Sequence, residues 1–161
     1  MPTGRRSVTI KKVGLDYFSV DADIFSDEKM QFITAKYGLK GEAIIFRLLS
    51  RIYRQGYYYQ WNEDQCLLLS MSTGGSATAE LIQEIVAEAS KRSFFSPEMF
   101  DKFGILTSTR IQKQYLHSTV RRKHVDMVLA FLLVDLHSVD IKNENVNIIE
   151  PNDNILPYSI A

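Results

Sequence analysis

Apolar positions recur at helical spacing along much of the chain, and the recurrence predicts where the backbone coils. Met30, Ile33 and Tyr37 share one helical face. Ser26 or Asp27 can cap that helix, Asp27 and Glu28 complement the positive end of its dipole, and Gly38 stops it. A second helix is predicted over 40–55, with Ala43, Ile44, Phe46, Leu48, Ile52 and Tyr53 making it the central core element, and Gly56 ends it. The aromatic run at 57–61 is too short for a helix between Gly56 and Asn62 and reads as a strand. A third helix, over 62–71, is capped by Asn62, with Cys66, Leu67, Leu68 and Leu69 expected mostly buried. After the turn Thr73-Gly74-Gly75-Ser76, a fourth helix over 77–91 turns Leu81, Ile82, Ile85, Val86 and Ala89 inward. Glu80, Gln83, Glu84, Ala87 and Glu88 face outward in that reading.

The second half of the chain is less regular. Phe94-Phe95 and Ile105-Leu106-Thr107 read as short strands around a one-turn helix, with Pro97 at its first position and Gly104 at its stop. A long helix is then predicted over 108–137. Its first half is basic, with Ile111, Tyr115 and Leu116 on an apolar face. Its second half is apolar nearly all round, through Val125, Val128, Leu129, Phe131, Leu132 and Leu136. Such a segment must be buried, so these residues are the candidate dimer or docking surface. The division that results is a flexible basic arm at 1–13, a body at 14–107, the long helix at 108–137, and an Asn-rich linker or tail with short strands at 138–161.

Composition changes this picture little. A length of 161 residues fits one domain plus appendages, and 45% apolar content supports an ordinary core. Cys66 is the single cysteine, so an intrachain disulfide is excluded and a reducing compartment is expected. The first residues are basic with no apolar signal segment behind them, and the longest apolar run, 127–134, is far below the ~20 residues of a spanning helix. A cytoplasmic protein with no membrane partner is expected.

Charge is more informative. The chain is formally neutral, yet 102–125 contains no acidic residue and carries Lys102, Arg110, Lys113, Arg121, Arg122 and Lys123. Lys91 and Arg92 lie at the end of the fourth helix. Concentrated positive charge attracts a polyanion and releases its counterions. These eight residues are therefore the candidate nucleic-acid contacts. A solvated basic face, or a match to an acidic patch on a partner protein, fits the same charges.

Several phrases in order carry a resemblance: Gly14-Leu-Asp-Tyr-Phe, Asp27-Glu28-Lys29, Tyr37-Gly38-Leu39-Lys40-Gly41, Ile52-Tyr53-Arg54-Gln55-Gly56-Tyr57-Tyr58 and Gly104-Ile105-Leu106-Thr107-Ser108. Together with Arg121-Arg122-Lys123 and the Asn-rich stretch 139–149, they resemble a family of bacterial and prophage proteins. Its N-terminal domain is similar to those of phage replisome organisers and DnaD-like replication proteins. The resemblance implies a mainly α winged helix-turn-helix with a small β-sheet, a role in replication of mobile elements, and replication proteins as partners. Larger members carry a further domain after the Asn-rich linker. In a winged helix the second helix of the turn motif enters the major groove. Here that is the fourth helix, where Glu80, Glu84 and Glu88 recur on one face and would repel phosphate. The expectation is therefore backbone gripping by the eight cations with little sequence readout. The alternative is a protein-interaction or dimerisation module with no nucleic-acid role.

Motifs for chemistry fail one by one. Asp21-Ala-Asp23-Ile-Phe25-Ser-Asp27 lacks the glycine and final glutamate of a calcium loop. His117 and His124 are two helical turns apart, about 10 Å, too far to share a metal. Thr73-Gly74-Gly75-Ser76 lacks the Gly-Lys-Ser/Thr end of a phosphate loop, and Cys66 lies in an apolar run as an inert thiol. Tyr57, Tyr58, Tyr59 and Trp61 could stack bases, but alternate residues of a strand must face the core. The expectation is a non-enzyme with no cofactor, no metal and no small-molecule substrate.

Overall fold

A computed structural model describes residues 12–138, 141 and 144–150. The expected arm up to residue 11 and the tail from 151 onward lie outside the described residues. Helices dominate, with two small sheets. In order the elements are α1 (Glu28–Gln55), β1 (Tyr59–Gln60), α2 (Glu63–Ser72), α3 (Ala79–Lys91), α4 (Pro97–Phe103), β2 (Ile105–Leu106), α5 (Thr109–Ser118), β3 (Val125–Val128) and β4 (Val146–Ile149).

Each helix begins on a capping side chain, as its sequence demands. Asp27 accepts from the Lys29 amide, Asn62 from Gln65, Thr78 from Leu81, Ser96 from Met99 and Ser108 from Ile111. The predicted stop at Gly38 is a kink within α1: only this residue leaves helical geometry (φ 63°, ψ −151°), a backbone that glycine tolerates. Gly104 ends α4 in the left-handed region (φ 64°).

Two hydrophobic clusters fill the interior. The first joins α1, α2 and α3 through Ile33, Ile45, Leu48, Ile52, Leu69 and Ile85, and extends to Ile111 on α5. β1 pairs antiparallel with β2, Tyr59 opposite Leu106 and Gln60 opposite Ile105. The second cluster lies under α5 and β3 and contains Tyr57, Ile105, Tyr115, Met127 and Phe131. A buried polar chain runs through it. Thr107 donates from Oγ1 to the Tyr57 carbonyl (2.6 Å). Gln112 donates from Nε2 to Thr107 (3.2 Å) and to the Phe131 carbonyl (2.8 Å), and its Oε1 accepts from the Leu133 amide (2.8 Å).

The structure corrects five expectations. The helix over 108–137 stops at Ser118. Thr119 turns its hydroxyl back onto the Tyr115 and Leu116 carbonyls, and Asn145 donates to the carbonyls of Thr119 and Arg122. Those bonds fold 119–124 into a turn, so Arg121, Arg122 and Lys123 are not helical. The apolar run beyond it is strand β3 followed by a 3-10 turn, Leu129–Phe131. Apolar residues on every side describe a strand buried on both faces as well as a buried helix. Second, the short strand expected in the Asn-rich stretch is part of the body rather than of a linker: β4 runs parallel to β3 with Val125 opposite Val146 and Val128 opposite Ile149. Third, Phe94-Phe95 is not a strand, because both amides donate to the Ala89 carbonyl and close the end of α3. Fourth, Leu67 and Leu68 are exposed, while Cys66 and Leu69 are buried. Fifth, Glu88 is buried rather than outward.

Candidate nucleic-acid interface

The eight predicted contact residues divide into two groups. Arg92, Arg110 and Arg122 are engaged within the fold. Arg92 caps α3, lies 3.9 Å from the centre of the Phe32 ring and donates to Glu88 (3.0 Å). Lys36 donates to the other oxygen of Glu88 (3.1 Å). The bonds from Arg92 and Lys36 hold the Glu88 carboxyl below the usual range. Arg110, in the first turn of α5, reaches across to Asp27 (3.1 Å) and to Asp21. Arg122 donates to the carbonyls of Lys12 (3.0 Å), Val13 (2.9 Å) and Gly14 (2.7 Å), while the Tyr115 hydroxyl also donates to Val13 (2.8 Å). These bonds strap the entering chain to the body. Gly14 lies so close to α1 there that a Cβ would come within 1.7 Å of the Arg54 carbonyl oxygen.

Lys91, Lys102, Lys113, Arg121 and Lys123 remain exposed and enter no ion pair with a described residue. Lys102 lies 5.6 Å from the ring centre of its neighbour Phe103. The outward face of α3 carries Glu80, Gln83, Glu84 and Ala87, so two carboxylates stand where three were expected.

The predicted docking residues are mostly internal. Val125, Val128 and Phe131 are buried, Leu132 and Leu136 half-buried, and only Leu129 is exposed. Intramolecular packing onto α5 and β4 has taken up that surface. The aromatic run is likewise structural: Tyr57, Tyr59 and Trp61 are buried, and Tyr57 accepts from the Val128 amide (2.8 Å). Burial pushes the phenol of Tyr57 upward and that of Tyr53 up to about 12. It also raises the Cys66 thiol, whose Sγ lies 3.3 Å from the Ala79 carbonyl.

Two features escape a reading by sequence. An open groove of about 1030 Å³ runs beside α5, with Phe18, Leu49, Tyr53 and Leu116 on its walls and Lys29 and Lys113 among its lining cations. It is built by segments far apart in the chain and has no local signature. The exposed apolar face of α2 was concealed because that helix is apolar on both sides. Among the described residues, no group of three His, Cys, Asp or Glu side chains is placed to hold a metal ion. No helix among them is long and apolar enough to cross a membrane.

Comparison with known proteins places the chain in a family. The family model described as Lin1244/Lin1753-like, N-terminal, matches residues 17–111. A protein of Listeria innocua serovar 6a (strain ATCC BAA-680 / CLIP 11262), described as the uncharacterized phage-related protein Lin1244/Lin1753, is 34% identical over 149 residues. The alignment covers 89% of this chain and 48% of that relative, so the chain spans about half its length. No solved structure matches. The matched span 17–111 encloses the whole first hydrophobic cluster, from Ile24 to Ile111, and the chain belongs to the Lin1244/Lin1753-like N-terminal family.

Proposed function

We propose that this chain is a non-catalytic, phage-related DNA-binding module of winged-helix type that acts in replication and grips phosphate backbone with little sequence readout. The observation that carries the reading is the exposure of Lys113, Arg121 and Lys123, without an ion-pair partner among the described residues, in a stretch that contains no carboxylate. The order α1–β1–α2–α3–α4–β2, with β1 paired to β2, supports the winged-helix element of the proposal. The acidic outward face of α3 argues against base reading by that helix, so contacts would fall on phosphate.

Fluorescence anisotropy of duplex and single-stranded DNA across a salt series tests it. Binding in the micromolar range should weaken steeply with salt. Replacing Lys113, Arg121 and Lys123 together by Ala should lower affinity at least tenfold and reduce the salt slope by about 2–3, near 0.9 per lost phosphate contact. Arg110→Ala should leave the slope unchanged, because that guanidinium is held by Asp21 and Asp27. A folded protein that binds no DNA at low salt would sink the proposal.

The groove beside α5 favours a second reading, a protein-interaction module without a nucleic-acid role. Its size and apolar walls suit a short segment of a partner such as a replication protein. Absence of DNA binding together with saturable capture of a purified replication protein would select it.

A further inference from the structure

α2 is apolar on two opposite sides. Cys66 and Leu69 face the first cluster. Leu67 (54% exposed), Leu68 (52%) and Met71 (69%) face solvent. At 100° per residue, Asp64, Leu67, Leu68 and Met71 fall within one sector of the helix. A contiguous exposed group of large apolar side chains on a small domain marks an interaction surface.

Charges of opposite sign bracket this stripe. At its start are Glu63 and Asp64. At its end is Arg47 of α1, whose guanidinium donates to the Ser72 carbonyl (3.5 Å). None of the three forms an ion pair with a described residue. Asp64 and Ser72 lie four residues either side of Leu68, about 6 Å in each direction at 1.5 Å rise per residue. A two-fold axis through Leu68 therefore lays two copies of α2 antiparallel. It superposes the acidic end of one on the Arg47 end of the other, and stacks Leu67, Leu68 and Met71 across the axis. An isologous contact needs just such a self-complementary patch.

We propose that the exposed face of α2 is a homodimer interface, occupied by a second copy of this chain in antiparallel, two-fold register about Leu68, with Arg47 of each copy beside Asp64 of the other. This does not depend on the DNA-binding reading. One short helix per subunit falls at or below the low end of the ~1,200–2,000 Å² buried by stable complexes, so the dimer is a weak one.

Sedimentation velocity over about 1–300 µM chain, with circular dichroism to confirm folding, tests the proposal. The unmodified chain should shift from monomer toward dimer within that range, and Leu68→Glu should stay monomeric throughout. Arg47→Glu and Asp64→Arg should each weaken association at least tenfold, since each places like charges together twice. Mixing the two charge variants should restore association, because both cross-axis pairs then have opposite signs. A chain that stays monomeric, a dimer indifferent to Leu68→Glu, or a mixture no tighter than its separate components would each overturn the proposal.

Discussion

At the scale of single residues, identical charges do different work according to what lies within reach. Arg121, Arg122 and Lys123 are adjacent, yet only Arg122 reaches the carbonyls of Lys12, Val13 and Gly14. Hydrogen bonds from a charged donor contribute more than neutral ones, so Arg122→Ala should cost about 1–3 kcal/mol of unfolding free energy. Arg121→Ala and Lys123→Ala should stay within about 0.5 kcal/mol, all three read by urea denaturation. Glu88 makes a pH prediction. Its carboxyl is held below its ordinary value of 4.5 by Arg92 and Lys36. A depressed acid contributes stability that is complete above that ordinary value and is lost as pH falls through the folded-state value. Glu88→Gln should therefore melt at lower temperature than the unmodified protein at neutral pH. The gap should close on acidification below about 4.5, followed by thermal melts across pH.

At the scale of elements, local chemistry was legible and distant partnership was not. Asn62, Pro97 and Gly104 announced their boundaries through capping and backbone geometry that depend on immediate neighbours, whereas the stop read at Gly38 is a kink within α1. The Ser118 boundary depends on Asn145, far along the chain, and β3 is a strand because β4 returns beside it. A parallel pair needs a long crossover, so nothing near Val125 signals it. The candidate site suffered for the same reason. The acid-free stretch identified the basic residues, but the carboxylates that claim Arg110 lie at positions 21 and 27. Gln112 gave no signal as a buried linker, because a glutamine on a mostly polar helix looks solvated. Its side-chain hydrogen bonds join α5 to Thr107, Phe131 and Leu133. Gln112→Leu keeps the volume and abandons the Phe131 carbonyl and Leu133 amide. Each abandoned buried group costs about 1–3 kcal/mol, and the loss should appear in the denaturation midpoint.

At the scale of the whole molecule, the two clusters depend on different lengths of chain. The first is complete by Ile111, whereas the second is edged by β3, whose neighbour is β4. Ending the chain before Val146 should expose one side of β3 and leave α1 and α3 packed. Hydrogen exchange should then show lost protection at 125–128 and at the Tyr57 environment, with protection at 44–52 and 82–89 retained. Equal loss in both regions would mean that the clusters unfold as one unit.

The late position of β4 also has a consequence during synthesis. A nascent chain emerges N-terminus first, at about 5–20 residues per second, and its early part can fold while the rest is still being made. Residues 24–111 can pack as soon as they clear the ribosome, but β3 must wait for residues 146–149 to gain its parallel partner. For those seconds an apolar edge strand stands open on a body already folded, the period in which a chaperone would hold the chain and in which two neighbouring ribosomes on one message could pair their unfinished products.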